Sequence, residues 1–158
     1  MIVTYKTAFY TFYLPCAIGM IYYGVKKPES FRKARDICCR IGTFFQIQDD
    51  YLDCFGDPET IGKVGTDIQD NKCSWLVVQA LERATPTQKA TLLANYAQHD
   101  DAKIEAVKKL YRELELEKAY KEYEDGACKE IKELIAEVVD IPHAVFHQFI
   151  DKIYGRTK

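Results

Sequence analysis

The sequence lacks a dominant charge. Its 158 residues carry 22 Lys and Arg against 24 Asp and Glu, a formal net charge of -2. So small an imbalance gives no general attraction to nucleic acid or anionic lipid, so each basic residue has to be judged by its position. There is no CxxC pair. The six cysteines, Cys16, Cys38, Cys39, Cys54, Cys73 and Cys128, are scattered, three of them in apolar segments. They read as reduced, mostly buried thiols of a cytoplasmic protein. No stretch alternates with the period of a strand, and there is no internal repeat or low-complexity tract. What is there is globular: 47% hydrophobic, 29% charged and 13% aromatic. The length suits one domain and is enough to bury a core.

Charge is also missing locally. From Ala8 to Val25 the run "AFYTFYLPCAIGMIYYGV" has none. A membrane-spanning helix needs about 20 predominantly apolar residues. This run is at the short edge, and it is interrupted by Thr11, Pro15, Gly19 and four tyrosines. A buried core helix, not a membrane span, is the expectation.

The periodicity predicts an all-α bundle. A first helix is expected over Tyr5–Tyr23, bent at Pro15. A second runs over Phe31–Phe55 with Ser30 as its cap. It is apolar around nearly its full circumference from Ile37 onward, so it should be central. "GDPETIGKVG" reads as a loop. "TDIQ" and "TPTQ" both read as capping boxes, with Thr66 and Thr85 as caps. From Asp101 to Val139 the chain is charged and amphipathic, with a break expected at Gly126. Pro142 precedes a last helix over His143–Tyr154.

A second absence singles out "FFQIQDDYLDCFGDP". No lysine or arginine lies between Arg40 and Lys63, yet Asp49, Asp50 and Asp53 sit there in an apolar, aromatic helix. Asp49 and Asp53 are four apart and share a face with Gln46, and Asp50 lies beside them. Like charges so close raise one another's pKa, and an apolar setting adds desolvation. A divalent metal relieves both, and clustered carboxylates with room for water and phosphate suit Mg2+. An acidic helix turn facing solvent is the alternative. The spacing of a Ca2+-binding EF-hand loop is absent. Lys6, Lys63 and Lys72 are the candidate anion partners, since lysine serves phosphate as a point charge.

"YKTAFY", "FFQIQDDYLDCFGDP" and "GKVGTDIQDNKCSWLVVQAL" together resemble the eukaryotic farnesyl diphosphate synthases, down to the basic "KIY" ending. The resemblance spans the chain, but only as the C-terminal half of that family. It assigns 1–158 to the C-terminal portion of a polyprenyl synthase domain, a partial isoprenoid-synthase-type helical bundle. It implies a Mg2+-dependent prenyltransferase of isoprenoid biosynthesis, with Mn2+ as a substitute ion. Such an enzyme joins isopentenyl diphosphate head to tail to dimethylallyl or geranyl diphosphate. The family is usually homodimeric.

The same resemblance makes Asp49, Asp50 and Asp53 metal ligands, with Asp49 the foremost, and Asp67 an acid behind the metal-bound waters. Lys6, Lys63 and Lys72 would hold the allylic diphosphate. Thr7 and Gln46 would line the place where the allylic cation forms, with Tyr10 close by. Phe45 would lie near the isopentenyl pocket, and Arg156 and Lys158 would belong to a tail closing over isopentenyl diphosphate. The family clamps metal between two aspartate-rich motifs, and this sequence has one. The chain alone is therefore expected to be inactive. Two other functions are compatible with the sequence: a non-catalytic helical interaction module, and a related enzyme such as a geranylgeranyl diphosphate synthase.

Overall fold

The computed structural model describes residues 4–156, and among them there is no strand. A π-helix (Thr4–Tyr13) leads into α1 (Leu14–Tyr22), followed by α2 (Pro28–Phe55), α3 (Pro58–Ile61) and α4 (Trp75–Arg83). Then come α5 (Pro86–Asn95), α6 (Asp101–Glu113), α7 (Leu116–Ala136) and α8 (His143–Ile153). The chain divides into two compact units, residues 4–46 with 123–156, and residues 47–122. The helices α2 and α7 have residues in both.

The first unit packs one face of each helix into a common core. Ile37, Ile41 and Phe44 of α2 meet Ile131 and Ile135 of α7 and Phe146 and Ile150 of α8, all essentially buried. The π-helix lies hard against α2. A Cβ added at Gly42 would sit 2.3 Å from the Ala8 Cα, so only glycine permits this approach. The expected bend at Pro15 is a change of helix type. Proline has no N–H to continue the preceding hydrogen-bond register, and the α-helical turn begins around it. The expected burial holds for only one face. Ala8, Phe12, Ala17 and Met20 are buried, whereas Ile18, Ile21, Tyr22 and Tyr23 are exposed. Helix α2 starts at Pro28, ahead of the expected cap, because the fixed φ of proline suits a first turn. Ser30 lies inside the helix and its hydroxyl donates to Asp140 at 3.4 Å.

The second unit is built around Ile68, Leu76, Val77, Leu92, Val107, Leu110 and Tyr111. "PETI" is a single helical turn instead of loop. Asp57 caps it through the Glu59 and Thr60 N–H groups, and Gly62 ends it at φ 80°. Thr66 caps no helix. The chain turns through Asp67–Asn71, with Asn71 left-handed at φ 56°, and Ser74 caps α4 instead. The Thr85–Gln88 capping box forms as expected. The charged half breaks at Glu115, φ 53°, and Gly126 lies within α7. No helix among the described residues is long and apolar enough to cross a membrane.

Candidate metal and diphosphate site

The aspartates lie in the last turns of α2, and the second unit returns charge to them from downstream. Asp50 is 6% exposed. It accepts the Trp75 N–H at 2.7 Å, at the positive end of α4, and stands 3.0 Å from the Lys72 Nζ. Asp53 accepts the Asp67 N–H at 2.9 Å and lies 3.8 Å from the Lys63 Nζ. The loop can come this close because residue 65 is glycine: a Cβ there would fall 1.7 Å from the Asp53 carbonyl oxygen. Lys72 also donates to Asp67 at 2.8 Å, and the Tyr96 hydroxyl donates to the Lys72 carbonyl at 2.7 Å. Two of the three aspartates thus anchor the chain that follows α2. The cations absent from the neighbouring sequence arrive 10 and 22 residues later. Asp49 is different: half-buried, it has no ion pair among the described residues.

The electrostatics reflect an excess of negative charge. Burial pushes the Asp67 carboxyl up; hydrogen bonding to Lys72 opposes this, and nearby Asp53 adds to it. Burial alone would lower the Lys72 ammonium, but its hydrogen bonds to Asp67 and Asp50 outweigh that and raise it. Lys72 is therefore firmly charged and held by two carboxylates.

The described residues assemble no group of three metal-ligating side chains. Asp49, Asp50 and Asp53 are not one preformed ligand set, because Asp50 and Asp53 are engaged by backbone N–H groups and lysines. The donor chemistry still fits Mg2+: hard carboxylate oxygens, with Asp49 in no ion pair among the described residues. Such an ion takes one or two carboxylates and fills its other positions with water and phosphate oxygens.

In the first unit, four of the residues singled out in the sequence lie in contact, two by two. The Thr7 hydroxyl donates to the Gln46 Oε1 at 3.2 Å, joining residues 39 apart in sequence. The Arg156 guanidinium stacks over the Phe45 ring, 4.5 Å from its centroid, and Phe12 packs on that ring at 5.7 Å. The Arg156 Nε is buried with no hydrogen bond among the described residues. Lys6 and Tyr10 are exposed, and Lys158 lies outside the described residues. Sequence reasoning missed what holds this end of the chain. Buried Glu124 accepts the Gly155 N–H at 3.3 Å, and the Tyr154 hydroxyl donates to Asp125 at 2.8 Å. In the sequence, Glu124 is one acid among many on an amphipathic helix, with no local signal of burial.

A family model described as polyprenyl synthetase matches residues 1–114. Farnesyl pyrophosphate synthase of Rattus norvegicus is 51% identical over 158 residues, which covers 99% of this chain and 45% of the rat protein. That of Saccharomyces cerevisiae is 46% identical, covering 99% of this chain and 46% of its own length. The T. brucei farnesyl diphosphate synthase solved with risedronate superposes with a TM-score of 0.90 at 40% identity, covering 99% of this chain and 45% of that one. The chain spans under half the length of these relatives. With more than two thirds of its residues inside the family match and an isoprenoid-synthase helical fold, the chain belongs to the polyprenyl synthetase family.

Proposed function

We propose that this chain supplies one acidic side of a Mg2+-dependent farnesyl diphosphate synthase, which condenses isopentenyl diphosphate with dimethylallyl or geranyl diphosphate. The observation that carries the reading is Asp49: a carboxylate with no ion pair among the described residues, beside two aspartates that lysines already neutralise. Mg2+, or Mn2+ in its place, held by Asp49 with water and diphosphate oxygens, would neutralise charge on a departing diphosphate. Asp50 and Asp53 fix the backbone that carries Lys63 and Lys72, and Asp67 shares Lys72 with Asp50. Lys63, 56% exposed, and exposed Lys6 are the cations open to an anionic substrate. The Thr7 hydroxyl and the Gln46 amide, already in contact, present dipoles to a developing allylic cation. Phe45 offers an apolar wall that keeps water from that cation, and Arg156 a charge for isopentenyl diphosphate. The relatives named above are farnesyl synthases, which favours that product over a longer prenyl chain.

A chimera tests this reading. The matching stretch of the Saccharomyces cerevisiae enzyme is replaced by this chain and assayed with labelled isopentenyl and geranyl diphosphates. Mg2+-dependent farnesyl diphosphate is expected, and a folded but inactive chimera would sink the proposal. The chain by itself is expected to give no turnover, because it has a single aspartate-rich motif. The exposed Ile18, Ile21, Tyr22 and Tyr23 favour a second reading, in which the chain also pairs with another polypeptide of this family.

A further inference from the structure

Helix α8 carries two of the three histidines in the chain. It buries Phe146, Ile150 and Ile153. His143 and His147 form a row beside that stripe, four residues apart and therefore on one face. Both rings are half-buried. Their centroids lie 6.4 Å apart, with the ring planes at 70°. Helical side chains lean toward the N-terminus, so His147 reaches back over the turn that starts with His143. The His143 ring is already oriented. Its Nε2–H donates to the Val138 carbonyl at 2.5 Å, and a carbonyl can only accept, so the lone pair is on Nδ1. His147 makes no hydrogen bond or ion pair among the described residues. The condensation proposed above uses neither imidazole.

We propose that His143 and His147 chelate one transition-metal ion of the Ni2+, Zn2+ and Cu2+ class. Imidazole nitrogen suits these ions, whereas Mg2+ keeps to oxygen, so the histidines and the aspartates select different metals. Two imidazoles four residues apart reach a single ion because successive helical turns stack them. Metal–nitrogen bonds run about 2.0–2.1 Å, so rings that share an ion stand closer than this pair does. Rotation about their own side-chain torsions brings them in, and two half-buried rings have room for it. A ligating histidine is commonly held by a bond from its other ring nitrogen to a backbone carbonyl, and Val138 already provides that bond. No third His, Cys, Asp or Glu completes a ligand set among the described residues, so water takes the remaining positions. The ion would join the first two turns of α8 and, through His143, tie them to the Val138 backbone that follows α7.

The test is calorimetric titration of the whole chain with Ni2+ in excess Mg2+, which occupies carboxylates. The parent chain carries Cys73→Ser, because Cys73 is an exposed thiol that would compete for the ion. One Ni2+ site is expected. Its affinity should fall at least about tenfold in His143→Ala and in His147→Ala, since a tethered second imidazole acts at high effective concentration. His99→Ala, which removes the remaining histidine in the segment before α6, should bind like the parent. Ni2+ should also raise the Tm of the parent and leave those of the two α8 variants unmoved. Gln148→His added to His147→Ala turns the second imidazole to another side of the helix and should not restore binding. His147→Ala carries the test even if His143→Ala fails to fold, because it leaves the Val138 bond intact. A parent chain with no Ni2+ site would overturn the proposal. So would a folded α8 variant within about threefold of the parent in affinity, or restoration by Gln148→His.

Discussion

At the residue scale, the three aspartates of one motif have separate occupations. Asp50 is the structural one: it satisfies the Trp75 N–H and pairs with Lys72. Asp50→Ala leaves that N–H unpaired in a buried place. It should lower stability in urea denaturation by about 2 kcal/mol, discounted because the Lys72 side chain is 39% exposed. Asp49→Asn should change stability little. Lys72 adds a pH dependence. Its folded pKa lies above the ordinary lysine value of 10.5, so its stabilisation is fully present below that pH and is lost as pH rises through the folded value. The stability gap between wild type and Lys72→Met should therefore shrink on going above pH 10.5, as followed by urea titrations at several alkaline pH values.

At the element scale, two glycines give opposite predictions. Gly42→Ala would drive a Cβ into the Ala8 backbone, and overpacking of this kind costs about 1–3 kcal/mol. Gly126 lies inside α7 with nothing within 4 Å of an added Cβ. Gly126→Ala should raise stability by about 0.5–1 kcal/mol through helix propensity alone. Thermal melts of the two variants would separate them. Gly126 also shows where the sequence was hard to read. Glycine is the usual local signal for a break, but the chain breaks at Glu115, a residue with no intrinsic preference for positive φ. The Thr85 capping box was legible because its donors and acceptors are all local, whereas the similar "TDIQ" was not. There the Asp67 N–H is taken by Asp53, 14 residues away, and a turn replaces the helix.

At the scale of the whole molecule, helical character was legible from periodicity and the family from three quoted stretches, because hydrophobic period and motif spacing are sequence properties. Which carboxylates are free was not. That depends on Lys63, Lys72 and the Trp75 N–H returning to α2, which only the folded second unit decides. The apolar run from Ala8 to Val25 likewise looks uniform in sequence. In the structure it divides into a buried face and an exposed one bearing Ile18, Ile21 and Tyr22.

The central claim is that Asp49 is the carboxylate kept for a metal–diphosphate ligand. Calorimetric titration of the chain with geranyl diphosphate, with and without Mg2+, tests it most directly. Binding should need Mg2+ and weaken at least tenfold in Asp49→Asn, about 1.4 kcal/mol or more. Equal affinity without Mg2+, or an Asp49→Asn chain that binds like wild type, would contradict it.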